Sequence, residues 1–233
     1  MKKKAVFFDL GGTLMVMRRD RIISKILTGA GHPATPDEVR AAYFHAEPTW
    51  LTTLGGAKST PQQSEESYRR LDAMVFEHLF PEVSKAEVDG VSSLMRRMWP
   101  EVQRTVPLEL YPDAEPTLRR LKEDGYKLAL VSNASPDVAG TISALGLERF
   151  FPSIVVSGLV GVSKPNPEIF QIALRESGTN AAETVHVGDL YEADVKGANG
   201  AGITGILIDR DANYGALDCP KIGDLGEVYR FLE

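Results

Sequence analysis

Asp9 stands directly after the apolar run Ala5-Val6-Phe7-Phe8 and before the pair Gly11-Gly12. Ser132-Asn133 closes the apolar run that begins at Lys127, and Gly188-Asp189 follows Thr184–Val187 in the same way, with Asp194 five residues on. Lys164 lies in Ser163-Lys164-Pro165-Asn166-Pro167, just ahead of a segment that reads as a helix. Carboxylates of this kind can hold a hard divalent cation or serve as nucleophiles, and a hydroxyl or an ammonium can hold an anion. Taken alone, each has a plainer reading: Asp9 as a turn or cap residue, Lys164 as a surface lysine, Asp194 as a helix N-terminal carboxylate favoured by the dipole.

The elements that must position these residues can be read from hydrophobic pattern. Ala5–Phe8 is a continuous apolar run ending in a polar, glycine-containing turn, the signature of a buried parallel strand. From Leu108 onward the pattern alternates. Strands are expected at Lys127–Ser132, Ser153–Ser157, Thr184–Val187 and Ile203–Ile208. Helices are expected at Ala114–Asp124, Pro136–Leu145, Pro167–Ser177, Glu192–Ala201 and Leu225–Leu232. Gly125 suits the residue after a helix, and Pro167 suits a first turn. Strand–helix alternation with apolar strands implies a parallel sheet covered on both faces.

Between Met15 and Val106 helical periodicity dominates, and no convincing strand is visible. Prolines at 33, 36, 48, 61, 81 and 100 divide the stretch into four or five helices. Thr35 with Glu38 has the spacing of a capping box. The chain is therefore expected to form one α/β core, from residues 1–14 and 107–233, with an all-helical insertion at 15–106. Ligands of open α/β sheets bind beyond the carboxyl ends of the strands, so Asp9, Ser132-Asn133 and Gly188-Asp189 would converge there if their strands are neighbours.

Together these segments resemble the haloacid dehalogenase-like (HAD) hydrolase superfamily, with a helical cap inserted after the first motif. The four motifs occur in order: Asp9-Leu10-Gly11-Gly12-Thr13-Leu14, Val131-Ser132-Asn133, Lys164-Pro165-Asn166-Pro167, and Gly188-Asp189-Leu190-Tyr191-Glu192-Ala193-Asp194. The resemblance spans nearly the whole chain, the cap being its least constrained part. It implies a Rossmann-like parallel sheet and a Mg²⁺-dependent hydrolase of small phosphorylated molecules. Asp9 would be the nucleophile, forming an aspartyl phosphate. Asp9, Asp189 and the main-chain carbonyl of Gly11 would be metal ligands, and Asp194 a ligand through water or an orienting group. Ser132, the main-chain N–H near Asn133, and Lys164 would hold the phosphate oxygens, and Lys164 would also damp repulsion between Asp9 and Asp189. The cap would close over the site and choose the substrate.

One position departs from the family. Its phosphatases carry a second aspartate two residues after the nucleophile, which protonates the leaving oxygen and then activates water; here that position is Gly11. A main-chain carbonyl survives the exchange, but an acid–base group does not. A positioned general acid or base contributes about 10²–10⁴-fold, so a weak or selective hydrolase is expected, impaired most with alkyl phosphates. There are three alternatives. A non-hydrolytic phosphate- or metal-binding protein would keep the cradle without turnover. A phosphonoacetaldehyde-hydrolase-like enzyme would use a cap lysine as imine former, for which Lys58 in Gly55-Gly56-Ala57-Lys58 is the candidate, although it reads more plainly as a solvated lysine. A metal-free dehalogenase is disfavoured by the intact Asp189 and Asp194. His45 or Glu47 in the cap could supply the missing proton. His186, inside an apolar strand, reads as a core histidine, and Tyr43, Phe44, Trp50, Phe76 and Trp99 suit cap packing.

Composition narrows the partners. With 26 basic and 32 acidic residues the formal charge is −6, and no basic surface for nucleic acid is evident. No apolar stretch is long enough for a membrane helix, and the run after Lys2-Lys3-Lys4 is too short for a secretion signal. A single cysteine, Cys219, excludes an internal disulfide and a cysteine metal site. A cytoplasmic monomer or homodimer is expected.

Overall fold

The structure, a computed structural model, describes residues 2–17, 19–54, 61–105 and 108–233. The chain divides into two compact units, Met1–Val16 with Leu108–Glu233, and Met17–Pro107.

The first unit is built on strands β1 (Ala5–Phe8), β4 (Lys127–Ser132), β5 (Ser153–Val156), β6 (Thr184–Gly188), β7 (Thr204–Ile208) and β8 (Lys221–Ile222). They form one six-stranded sheet in the order β5-β4-β1-β6-β7-β8, parallel throughout. The side-chain period of two explains why both faces are covered. Val6, Phe8, Leu128, Leu130, Val185 and Val187 point into one apolar layer, while Ala5, Phe7, Ala129, Val131 and Val155 point into the other. Every residue of β1 is buried, as the central strand of a doubly covered sheet must be.

The first layer is closed by Ala114, Leu118 and Leu121 of a helix at Ala114–Glu123, and by Leu225 and Val228 of the last turn. The second is closed by Ile169, Phe170 and Ala173 of a helix at Pro167–Ser177.

The sequence pattern and the structure part company where elements are short. A two-stranded pairing of β2 (Met15–Met17) with β3 (Leu108–Leu110) sits where the chain passes between the units, against the expectation of no strand there. Three-residue strands are too brief for a periodicity to register. The C-terminal helix is a 3-10 run, Leu225–Phe231. The helix expected at Glu192–Ala201 is instead a π-helical turn, Tyr191–Lys196, followed by the short helix Gly197–Gly200.

The second unit contains, among the described residues, the helices Arg19–Gly29, Pro36–Leu54, Pro61–Leu79 and Lys85–Thr105. The capping box at Thr35 forms, with Glu38 N–H donating to Thr35 Oγ1 and Thr35 N–H to Glu38 Oε2. Ser84 and Glu87 repeat it. Tyr43, Trp50 and Phe76 are buried, and the centre of this unit is polar as well. The Tyr43 hydroxyl donates to Asp72 Oδ1 at 2.6 Å, Arg96 pairs with the same carboxylate, and Trp50 Nε1 donates to the Ser67 carbonyl at 2.8 Å. Among the described residues no helix is long and apolar enough to cross a membrane.

Candidate active site

β1 lies between β4 and β6, with Phe8 in register with Leu130 on one side and Val187 on the other. The residues that leave these three strands at their carboxyl ends are Asp9, Ser132-Asn133 and Gly188-Asp189, so the topology places the candidates along one edge. The Asp9 N–H donates to the Val187 carbonyl at 2.9 Å, tying the first residue after β1 to β6.

Asp9, Asp189 and Asp194 each offer an oxygen, and those oxygens lie within 4.8 Å of one another. Two glycines make the approach possible. Gly12 has φ +76°, and a Cβ there would stand 2.1 Å from Asp189 Oδ2. A Cβ on Gly188 would stand 2.1 Å from Asp194 Cγ. Both positions therefore exclude a side chain so that a carboxylate can lie against backbone.

Lys164 is buried, and its Nζ donates to Asp9 Oδ1 and to Asp194 Oδ1, each at 2.6 Å. The ammonium expected to damp repulsion between Asp9 and Asp189 makes its hydrogen bonds with Asp9 and Asp194. Its loop is held by Asn133, whose side chain accepts from Lys164 N–H at 2.8 Å and donates to the Lys164 carbonyl at 2.9 Å. Asn133 thus fixes the lysine through its side chain. Ser132, buried, is the last residue of β4. Asn166 ends the loop by capping the Pro167–Ser177 helix, accepting from Glu168 N–H at 3.0 Å.

Asp194 is a hub. Its Oδ1 receives Lys164 Nζ and lies 3.0 Å from His186 Nε2, and its Oδ2 accepts from Leu190 N–H at 3.0 Å. Asp194 N–H also donates to the Leu190 carbonyl at 2.8 Å, an α-type closure at the entrance to the π-helical turn.

Burial opposes every charge here, and its balance with the neighbours sets each group. It pushes the Asp9 carboxyl up to about 6, against the pull of Lys164. For Asp194 burial acts the same way, but the Lys164 ammonium and the His186 hydrogen bond outweigh it and hold the carboxyl below its usual range. Lys164 is disfavoured by burial yet held charged, its pKa raised by Asp194 and Asp9. Burial lowers the His186 pKa against the pull of Asp194, disfavouring the charged ring.

The site therefore unites a carboxylate, Asp9, with a fixed ammonium and two further acids, a set of groups able to attack and hold a phosphoryl centre. Three hard oxygen donors gathered this closely could hold a divalent cation. Gly11 carries no proton, and a Cβ placed there would meet no atom of the described residues within 4 Å beyond its chain neighbours. His45 is exposed in the helical unit with its ring 5.0 Å from that of His78. Lys58, and the side chains of Glu47 and Trp99, lie outside the described residues. Sequence reasoning placed His186 in the core, and the structure adds what pattern could not show: its nitrogen meets Asp194.

The chain is similar to several known proteins. A stretch of 104 residues is 42% identical to a glyceraldehyde 3-phosphate phosphatase of Methanopyrus kandleri, covering 44% of this chain and 45% of that protein. The chain thus spans less than half the length of that relative. A protein of the same name from Methanothermobacter thermautotrophicus is 27% identical, over its whole length and 83% of this chain. The crystal structure of a HAD phosphatase from Thermococcus onnurineus matches with a TM-score of 0.59 and 27% identity, over 98% of this chain and 97% of that one. The model of the haloacid dehalogenase-like hydrolases matches residues 3–202. With most of its length so matched, and its acids and lysine gathered at one sheet edge, the chain belongs to the haloacid dehalogenase-like hydrolase family.

Proposed function

We propose that this chain is a Mg²⁺-dependent phosphohydrolase acting on a small phosphorylated metabolite through an aspartyl phosphate on Asp9, with turnover weakened or made selective by Gly11. The observation that carries this reading is the Lys164 ammonium, 2.6 Å from Asp9 and from Asp194 inside a cluster of three acids. The names borne by the two archaeal relatives support a phosphate ester as substrate.

Asp9 and Asp189, with the Gly11 carbonyl, would hold the cation. When bound, Mg²⁺ would offset the repulsion between an anionic nucleophile and an anionic substrate. Lys164 supplies fixed positive charge on the same side, and Ser132 and the main chain at Asn133 would bind the non-bridging oxygens as charge shifts in the transition state. Asp9 attacks phosphorus, the bond to the leaving oxygen breaks, and water then hydrolyses the acyl phosphate. Gly11 offers no proton to the leaving oxygen and no base for that water.

Intact-mass spectrometry after incubation with acetyl phosphate and Mg²⁺ tests the reading. A phosphoryl adduct is expected, lost in Asp9→Asn and accumulating because its hydrolysis is slow. Absence of both adduct and phosphate release would favour a non-hydrolytic binder.

A further inference from the structure

His186 sits in the middle of β6 with no exposed surface. Its Nε2 lies 3.0 Å from Asp194 Oδ1, and its ring packs edge-on against Phe170, with centroids 4.9 Å apart and planes at 76°. Its Nδ1 is buried with no hydrogen-bond partner among the described residues. The neighbours Val185 and Val187 show that this strand accepts apolar residues readily, and an apolar side chain here would leave no polar atom unsatisfied. A buried unsatisfied nitrogen kept in a core strand calls for a compensating role.

We infer that His186 is a positioning residue: its Nε2–H, anchored by the rigid sheet, fixes the Asp194 carboxylate so that Asp194 in turn aims the Lys164 ammonium at Asp9. The inference rests on the phosphohydrolase reading for its kinetic consequence, though not for the hydrogen bond itself.

The three donors to Asp194 differ in stiffness. Lys164 reaches it along four rotatable carbons, so the lysine and the carboxylate cannot fix each other. Leu190 N–H holds the other oxygen, Oδ2, within the same turn. His186 alone meets Oδ1 from a strand, with its ring orientation set by Phe170. Because the carboxylate can only accept, Nε2 carries the proton and Nδ1 is the bare nitrogen. Groups that orient a site through such contacts are worth about 10–100-fold in activity when removed.

The test has two arms. In ¹⁵N-histidine-labelled, metal-free wild type, four imidazoles contribute. One is expected as a fixed Nε2–H tautomer with a slowly exchanging ring proton, absent from His186→Gln. An Nδ1–H tautomer, or a freely exchanging ring, would overturn the inference whether or not the protein hydrolyses anything. The second arm measures kcat and KM with acetyl phosphate for His186→Leu, which keeps bulk, and His186→Gln, whose amide nitrogen stands near Nε2. His186→Leu is expected to lose about 10–100-fold in kcat with KM within about twofold, and His186→Gln to recover most of it. Equal losses in the two variants, or a folded His186→Leu with wild-type kcat, would overturn it. Should His186→Leu fail to fold, the tautomer and the glutamine variant decide. A wild type inert toward acetyl phosphate would defeat the phosphohydrolase reading, while the tautomer would still judge the hydrogen bond.

Discussion

A Cβ built on Gly11 meets no atom of the described residues within 4 Å beyond its chain neighbours, whereas one built on Gly188 would overlap the Asp194 carboxyl group. An aspartate at position 11 should therefore fold without displacing its surroundings. Gly11→Asp is expected to raise turnover of alkyl phosphates by about 10²–10⁴-fold, and of acyl phosphates as well through faster water attack on the aspartyl phosphate, though without the added gain from a leaving-group proton. Steady-state rates across such a pair of substrates measure this; equal rates for wild type and variant on the alkyl ester would refute it. Asp194 yields a different expectation. Its carboxyl is held below the usual 3.8 because Lys164 and His186 outweigh burial. A depressed carboxyl contributes stability that is present above 3.8 and is lost as pH falls below it. Metal-free Asp194→Asn should thus melt well below wild type at pH 7, and the gap should narrow as both are acidified through pH 4, as followed by Tm. The motif residues were legible in the sequence because each ends an apolar run or sits in an unusual turn. The role of His186 was not: an apolar strand reveals that a residue is buried, but not that its ring nitrogen meets a carboxylate eight residues on.

At the scale of elements, the loop Ser163–Pro167 is held from both ends. Asn133 brackets the Lys164 backbone with two hydrogen bonds, and Asn166 caps the helix after the loop. Asn133→Ala removes both brackets and should cost about 1–3 kcal/mol by urea denaturation. It should also lower kcat, since the ammonium would no longer be delivered to a fixed place. Unchanged kcat with reduced stability would mean that Lys164 finds its place without the bracket. The helix at Pro167–Ser177 was readable to the residue because Asn166 and Pro167 are strong start signals. The turn at Tyr191–Lys196 was not. There Asp194 accepts from Leu190 N–H through its side chain and donates its own N–H to the Leu190 carbonyl, and a periodicity argument carries no information about such local closures.

At the scale of the molecule, the two units are stabilised in different ways. The sheet unit relies on two apolar layers, whereas the helical unit buries the Asp72–Arg96 ion pair, with Tyr43 also on Asp72. Removing one partner of such a pair leaves a charge in low dielectric, so Arg96→Ala should destabilise the helical unit by about 3–5 kcal/mol. Calorimetry checks this, and a loss below about 1 kcal/mol would show that water replaces the arginine. The sheet unit was visible in the sequence as alternating runs. The polar centre of the helical unit was not, because pattern marks which residues are apolar and is silent on which charges meet inside.

The strand that carries Asp9 precedes both of its hydrogen-bonded neighbours in the chain. Ala5 pairs with Lys127 on one side and Thr184 on the other. As the polypeptide leaves the ribosome, this segment waits without either hydrogen-bonded neighbour through the synthesis of the whole helical unit, and it gains its second neighbour only when β6 emerges. No nascent or truncated product ending before β6 can gather the three acids. The acid cluster can therefore form only after β6 and the turn that follows it have been made.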